Sequence, residues 1–398
     1  MKIIEIGTGY TPIPAQMGAA TEIVVEELTR AFLKIGQDVE IIDIAAQKRA
    51  ETDLPISEVK VPRIFTKTDV SLGIMHKLKR VFYSIALARY LKKCLKKEQE
   101  KVVLHFHNQY NLFFFLKLVS KRLRQKAVIA YTVHSYIWGT EWKKIKDTVK
   151  KKYFQEIFCV KNADKVLVLN DITIEHFVSQ FGVNRENIVK IINGVNVEKY
   201  TPLEAEHVEK CKTEKGLGGK KIIFQVGSVC ERKNQLGSVQ MLTKYLQQNK
   251  DVVYTYAGGI IDAEYQKAIE VHAKINQIEE QVRYVGELAP GNQLNEYYNM
   301  ADCSVFTSKL ESFGLVIIEA ISAGTPVIVG SKPLFELKSG YQVFDSEEEF
   351  VQTVDKILQN GKQTECNGAE VVERYNWTSV AGEYMRHFNE TACGEGKE

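Results

Sequence analysis

Short apolar runs of three to seven residues alternate with helix-length amphipathic patterns along the chain, and this alternation constrains the fold more than any other feature. Residues 2–6, 39–44, 102–106, 127–133, 165–169 and 188–192 read as strands, rich in Val and Ile and bounded by turn-forming residues. Helical patterns fall between them at 18–33, 76–101, 112–123, 144–159 and 172–181. After Tyr200, Thr201 and Pro202 a charged, Gly-containing stretch through Gly219 reads as a linker, and the pattern restarts with strands at 222–226, 252–257, 282–285, 303–306 and 327–329. Strands separated by helices pair in parallel and are covered on both faces, which is why they can be apolar throughout. A chain of 398 residues also exceeds the size at which one core keeps growing. The expected fold is therefore α/β, with two Rossmann-like domains facing across a cleft at the carboxyl ends of their strands. Their expected spans are 1–200 and 201–375, followed by a final helix and tail over 376–398.

Hydrophobic residues make up 44% of the chain and charged residues 26%, values of an ordinary globular protein rather than a disordered one. There is no run of about eighteen apolar residues of the kind that crosses a bilayer. Met1-Lys2-Ile3-Ile4-Glu5-Ile6-Gly7 is a strand and turn, without the features of a secretory signal. Seven cysteines lie scattered without a Cys-x-x-Cys pair, so neither disulfides nor a structural zinc is expected, and the expected location is cytoplasmic.

The net charge of +3 conceals an asymmetry. Between residues 60 and 160, 23 Lys and Arg stand against 6 Asp and Glu, an excess of 17 positive charges. Within 76–101, Leu78, Val81, Phe82, Ile85, Leu87 and Leu91 recur near helical spacing among eight or more basic residues, which predicts a basic amphipathic helix with its apolar stripe on the core. Such a helix suits contact with anionic lipid at the inner face of a membrane, or attraction of an anionic acceptor. Nucleic acid is not expected, because no aromatic interleaving or recognition motif accompanies the charge.

The densest chemistry lies at 307–328, where Glu311 and Glu319 flank a Ser312-Phe313-Gly314 start to an apolar helix. Ser312 reads as an N-cap, Gly314 permits close approach to the backbone, and Gly324 with Pro326 ends the helix. The amides of Phe313, Gly314, Leu315 and Val316, at the positive end of the helix dipole, suit a diphosphate. Glu319 sits roughly one and a half turns further on, where it can accept from both hydroxyls of a ribose. It lies among Leu315, Val316, Ile317, Ile318, Ala320 and Ile321, where a carboxylate needs a partner.

The Glu, seven residues, Glu pattern, with Phe-Gly after the first Glu and Ala-x-x-x-Gly-x-Pro-Val after the second, closely resembles the retaining GT-B glycosyltransferases of family four. Other landmarks of that family stand in matching order over roughly residues 1–390: Gly18, Thr132-Val133-His134, Ala163-Asp164-Lys165-Val166, Ile192-Asn193-Gly194-Val195-Asn196, Val226-Gly227 through Lys233-Asn234, and Trp377. The resemblance implies that the final helix crosses back to the first domain. It further implies that Lys233 clamps the donor diphosphate, that His134 contacts the transferred sugar, that Glu311 meets the sugar hydroxyls, and that Gly18 lets backbone approach the donor. Ser308, Leu315 and Val316 add hydroxyl or main-chain contacts. The family's Arg after the loop glycine is replaced by Ser228, with Arg232 a candidate to supply the charge, and Ala19 stands where a second glycine is common.

His105 and His107 share a strand face by two-residue alternation, but two ligands do not complete a metal site, and they are read as structural or acceptor contacts. No Asp-x-Asp occurs, so a metal-free site is expected, with Lys233 and the helix amides as the electrostatic anchor and no cofactor beyond the substrate. The expected activity is retaining transfer of a sugar from a nucleoside diphosphate donor, UDP favoured over GDP, to an acceptor held by the basic first domain, in cell-surface polysaccharide, glycolipid or glycoconjugate synthesis. Front-face departure requires no protein nucleophile. The alternatives are a sugar-nucleotide epimerase or phosphosugar phosphorylase on the same scaffold, or a non-catalytic partner subunit that has lost donor binding.

Overall fold

The computed structural model describes residues 1–398 apart from 16–18, 67–73, 140–144, 310–312, 331–336, 363–367 and 395–398. Packing divides the chain into two compact units, Met1–Gly194 with Trp377–Glu398, and Val195–Asn376.

The first unit is built on a seven-stranded sheet with every strand parallel. Its strands are β1 (Ile3–Ile6), β2 (Val39–Ile44), β3 (Ile56–Val59), β4 (Val102–Phe106), β5 (Ala127–Val133), β6 (Lys165–Val168) and β7 (Ile188–Lys190), in the order β3-β2-β1-β4-β5-β6-β7. Every residue of β1, β4, β5 and β6 is buried, as expected of parallel strands covered by helices on both faces. The helix Trp377–Cys393 belongs to this unit and buries Trp377, Val380, Ala381, Tyr384, His387 and Phe388. Each of its large apolar side chains contributes ~1.5–3 kcal/mol by burial. A Cβ at Gly194 would lie 2.5 Å from the Trp377 ring, so only glycine allows that indole to seat.

The second unit carries a six-stranded parallel sheet of β8 (Lys221–Val226), β9 (Val252–Ala257), β10 (Val282–Tyr284), β11 (Cys303–Phe306), β12 (Val327–Val329) and β13 (Tyr341–Val343), ordered β10-β9-β8-β11-β12-β13. In each sheet the strand order reverses once, between β1 and β4 in the first and between β8 and β11 in the second. The loops leaving the carboxyl ends of those four strands border the position where open α/β sheets bind ligands.

Three expectations are corrected. The stretch read as a linker contains the helix Ala205–Glu214, which belongs to the second unit. Its polar composition reflects exposure rather than lack of structure: Cys211 is its single buried residue, and Lys215, just beyond it, pairs with Glu296 at 3.0 Å. The edge strands β3 and β13 were not foreseen, because Ile-Ser-Glu-Val and Tyr-Gln-Val are short and half polar.

The third correction concerns the basic helix, Ile74–Lys97. Leu87 and Leu91 face the core as expected, but Leu78, Val81 and Phe82 are 42%, 39% and 47% exposed. The inward stripe at this end runs instead through Lys79, Tyr83 and Ser84. Those side chains meet polar groups: Lys79 Nζ donates to the Tyr10 carbonyl of the first loop at 2.9 Å, Tyr83 Oη to the Gly7 carbonyl of the same loop at 3.2 Å, and Ser84 Oγ to Asn111 Oδ1 on the helix Gln109–Leu118 at 2.8 Å. A buried loop carbonyl must find a donor, and that requirement outweighs hydrophobic periodicity in the first two turns.

Candidate functional site

In the second unit, β8 is followed by a loop over residues 227–234, and β11 by Thr307, Ser308 and Lys309 and, past residues that lie outside those described, by Phe313 and Gly314. Gly227 and Gly258 hold φ of 148° and 134° where β8 and β9 end, and a Cβ on Gly258 would stand 2.3 Å from the Gly227 carbonyl oxygen. Beneath both loops lies Gln225, 3% exposed. Its Nε2 donates to the Lys233 carbonyl at 2.8 Å and to Thr307 Oγ1 at 3.3 Å, while its Oε1 accepts from Tyr254 Oη and Ser238 Oγ, each at 2.7 Å. The Lys309 amide donates to the Arg232 carbonyl at 2.9 Å, joining the two loops through main chain.

Lys233 is half-buried, with Nζ 5.6 Å from the centroid of the Phe306 ring. Its aliphatic stem passes Gly227 so closely that a Cβ there would lie 3.2 Å from Cδ and Cε. The ammonium is thus held at the carboxyl ends of β8 and β11.

Phe313 is buried, Gly314 takes the left-handed conformation at φ 92°, and the helix Leu315–Ser322 begins directly after it. First-turn amides of a helix have no partner within it, so Leu315 and Val316 carry the anion-attracting end. Just over one turn on, Glu319 is half-buried and its Oε2 accepts from Tyr298 Oη at 3.1 Å. Tyr298 is itself buried, packed edge-on against Phe224 and Tyr200, and burial together with the Glu319 charge raises its pKa well above the usual phenol range.

The first unit has its own polar cluster at the reversal of strand order. Glu5 on β1 stands opposite His105 on β4 in register. Glu5 Oε1 meets His105 Nδ1 at 2.9 Å and Oε2 meets His107 Nε2 at 2.7 Å. His105 Nε2 lies 2.7 Å from Thr132 Oγ1, and His107 Nδ1 lies 3.0 Å from Nε2 of half-buried His134. Burial alone would raise the Glu5 pKa, but charge and hydrogen bonding from His105, then His107, overcome it and hold the carboxyl at about 2. Burial, reinforced by His105, lowers His107 to about 4. Burial, reinforced by His107, also holds His134 well below the usual imidazole range. The cluster is a buried carboxylate facing two rings, with His107 and, behind it, His134 held neutral. Among the described residues, Glu5, His105 and His107 bring potential ligand atoms within 4.8 Å of one another, as do His207, Cys211 and Glu296; in the first group, carboxylate and rings satisfy one another directly.

Comparison with known proteins divides along the same line as the packing. Residues 21–199 match the family model described as Glycosyltransferase Family 4, and residues 208–368 match Glycosyl transferases group 1. The chain belongs to the group 1, family 4 type glycosyltransferases. It is 23% identical over 400 residues to spore coat protein SA of Bacillus subtilis (strain 168), covering 96% of this chain and 97% of that protein. It is 26% identical over 265 residues to alpha-galactosylglucosyldiacylglycerol synthase of Streptococcus pneumoniae (strain ATCC BAA-255 / R6), covering 64% of this chain and 67% of that protein. In fold it is similar to Anabaena HepE in complex with UDP and glucose, with a TM-score of 0.71, 13% identity, and coverage of 98% of this chain and 100% of that one. The fold is that of the GT-B glycosyltransferases.

Within this glycosyltransferase, Ser228, Arg232, Lys233, Ser308, Phe313, Gly314, Leu315, Val316 and Glu319 all fall on or directly after the two joined loops of the second unit. His134 follows β5 in the first unit. Glu311, Ser312 and Gly18 lie outside the described residues. Two local expectations change. Gly314, not Ser312, immediately precedes the helix, because glycine readily adopts the left-handed turn there, and Leu315 and Val316 supply its first-turn amides. Glu319 is half-buried rather than sunk, and a tyrosine hydroxyl already meets it. Three residues of this glycosyltransferase's loop and ring scaffold, Gln225, Tyr298 and Glu5, escaped the sequence reading. The available signal was a polar residue inside an apolar strand, in Ile222-Ile223-Phe224-Gln225-Val226 and Ile3-Ile4-Glu5-Ile6.

Proposed function

We infer that this glycosyltransferase is a retaining, metal-independent enzyme. It moves a sugar from a nucleoside diphosphate, UDP before GDP, to an acceptor in cell-surface polysaccharide, glycolipid or glycoconjugate synthesis. One observation carries the reading: the ammonium of Lys233 and the first-turn amides of Leu315 and Val316 leave neighbouring strands β8 and β11 on loops cross-tied through Gln225, with Glu319 about one turn further on. A cation and helix amides grip a diphosphate, and a carboxylate grips ribose hydroxyls. Lys233 then stabilises the charge that develops on the departing phosphate, which takes the acceptor proton on the face it leaves, so positioning and electrostatics supply the catalysis. Ser228, Arg232, Ser308, Phe313 and Gly314 shape the donor loops. Glu311, Gly18 and, from the first unit, His134 serve the sugar and donor as the family resemblance implies. UDP is favoured because HepE, of like fold, binds UDP.

Peripheral contact with an anionic membrane at the cytoplasmic face is part of this reading. No helix among the described residues is long and apolar enough to cross a membrane. Ile64, Ile74, Met75, Leu78, Val81 and Phe82 are nevertheless 39–77% exposed on the basic unit, beside exposed Arg63 and Lys77. Basic residues near anionic lipid contribute ~1 kcal/mol each. A lipid-borne acceptor suits that surface, and the similar Streptococcus enzyme is named for a diacylglycerol product.

A screen of nucleotide sugars for hydrolysis, run on the unaltered protein and on Glu311→Ala and Lys233→Ala, tests the assignment. Both substitutions should abolish most turnover, and unchanged turnover in both defeats it. Co-sedimentation with phosphatidylglycerol vesicles should fall for Phe82→Asp and be absent with phosphatidylcholine; equal binding to both lipids defeats the membrane reading.

A further inference from the structure

The hydrogen bonds of the first unit form one unbroken chain, Thr132 to His105 to Glu5 to His107 to His134. We propose that this chain sets the tautomer of His134, with Glu5 as the positioning residue, so that His134 presents Nδ1 as a hydrogen-bond acceptor to a hydroxyl of the donor sugar. The sugar contact rests on the functional reading above; the tautomer assignment stands on the geometry alone.

The proton positions follow step by step. An ionised carboxylate only accepts hydrogen bonds, so the ring nitrogens facing Glu5, His105 Nδ1 and His107 Nε2, must both carry hydrogen. A neutral His107 then has a bare Nδ1, and the neighbour 3.0 Å away, His134 Nε2, must be the donor. A neutral His134 that is protonated on Nε2 has a bare Nδ1. The one escape is a His107 imidazolium that donates from both nitrogens. It would place a second charge in a fully buried cluster, with the His105 ring centroid only 4.1 Å away. The low His107 and Glu5 pKa values agree with a neutral His107 and an ionised carboxyl.

On the other branch, His105 Nε2 meets Thr132 Oγ1, which lies 3.5 Å from Tyr384 Oη of the last helix. Tyr384 and Phe388 enclose the His105 ring, with centroids 5.3 Å from it in both cases. The far end of the chain is therefore anchored in packing, and the tautomer information runs from Glu5 towards His134.

The test is long-range proton–nitrogen correlation NMR of the full-length protein labelled with nitrogen-15 in histidine. The expected spectrum has His105 protonated on Nδ1, and His107 and His134 protonated on Nε2, with His107 and His134 neutral at pH 7. A proton on Nδ1 of His107 or His134, or an imidazolium at either, overturns the proposal. In Glu5→Gln, with folding verified by circular dichroism, one acceptor oxygen becomes an NH2 that can only donate, so either His105 or His107 must reverse its tautomer. His134 must follow if His107 reverses. Unchanged tautomers at both residues overturn Glu5 as the positioning group.

Addition of UDP-glucose or GDP-mannose, whichever the protein hydrolyses, should shift the Nδ1 resonance of His134, and the matching free nucleotide should not. No shift with a hydrolysed donor overturns the sugar-acceptor role while the tautomer result stands, which separates the two failures.

Discussion

Glu319→Gln separates a ribose-binding carboxylate from a structural one. Glu319 Oε2 accepts from Tyr298 Oη at 3.1 Å, and glutamine retains an oxygen that can do the same, so the helix Leu315–Ser322 keeps its contact. What is lost is the charge and one of two acceptor positions. Hydrogen bonds to a charged group are worth ~1.5–3 kcal/mol and neutral ones ~0.5–1.5. Replacing two charge-assisted ribose contacts by a single neutral one should therefore cost about 3–4 kcal/mol, a Kd raised roughly 150- to 800-fold. Calorimetric titration with UDP and GDP measures the loss, and thermal unfolding should shift by less than about 3 °C. Tyr298→Phe is the control. It removes the hydroxyl that orients Glu319 but leaves the carboxylate, so it should weaken nucleotide binding less than Glu319→Gln while costing about 1 kcal/mol of stability. If Glu319→Gln binds within threefold of the unaltered protein, or if Tyr298→Phe proves the more damaging to affinity, the carboxylate serves the fold and the ribose assignment fails.

Gly258→Ala combines a backbone conformation costing ~1–3 kcal/mol with a Cβ 2.3 Å from the Gly227 carbonyl oxygen, so a loss of roughly 3–5 kcal/mol and of about 10 °C in Tm is expected by calorimetry. Gln225→Leu removes the acceptor of the Tyr254 hydroxyl, one of the partners of the Ser238 hydroxyl and the amide that donates to the Lys233 carbonyl, so stability should fall by roughly 2–4 kcal/mol in urea and UDP affinity should fall with it; unchanged affinity would separate the Gln225 hub from the donor loops. Burial raises buried Glu22 from 4.5 to about 7, despite a hydrogen bond from the Thr8 hydroxyl. The folded state then holds a proton that the unfolded state has released, so this group's contribution to stability is lost as pH rises from about 4.5 to about 7. Glu22→Gln abolishes that loss, and its stability relative to the unaltered protein should grow by about 3 kcal/mol between pH 4.5 and pH 8 in denaturant titrations; a pH-independent difference contradicts the burial.

Strands were legible in the sequence because a parallel strand covered on both faces needs no alternation, and runs such as Val-Val-Leu-His-Phe and Ala-Val-Ile-Ala-Tyr-Thr-Val have no other economical fold. Helix faces were less legible. Periodicity assigned Lys79 to solvent and Phe82 to the core, whereas Lys79 is buried on the Tyr10 carbonyl and Phe82 is exposed, stacked on Phe65 at 5.1 Å. A sequence pattern registers apolar demand but not the demand of a loop carbonyl that arrives from 69 residues away. For the same reason Glu319 was legible as a carboxylate in need of a partner, but that partner, Tyr298, is carried on another helix, Asn292–Met300.

The two polar hubs that the sequence did not declare occupy the same place in the two units. Glu5 is the penultimate residue of β1 and Gln225 the penultimate residue of β8, the strands on one side of each reversal in strand order. At a reversal the connecting helices diverge to opposite faces of the sheet, so the carboxyl ends of the two central strands are left uncovered by helix. A polar side chain one residue before that end is still buried, yet it reaches the first residues of the neighbouring loop: Glu5 reaches His107 after β4, and Gln225 reaches Thr307 after β11. Burial makes an unmet partner costly, and proximity to the loop makes the partner available. Each hub therefore ties a loop at the carboxyl ends of the strands to the sheet. A carboxylate suffices where the loop must be told where its protons lie, and an amide, which both donates and accepts, serves where carbonyl and hydroxyl groups of two loops must be joined.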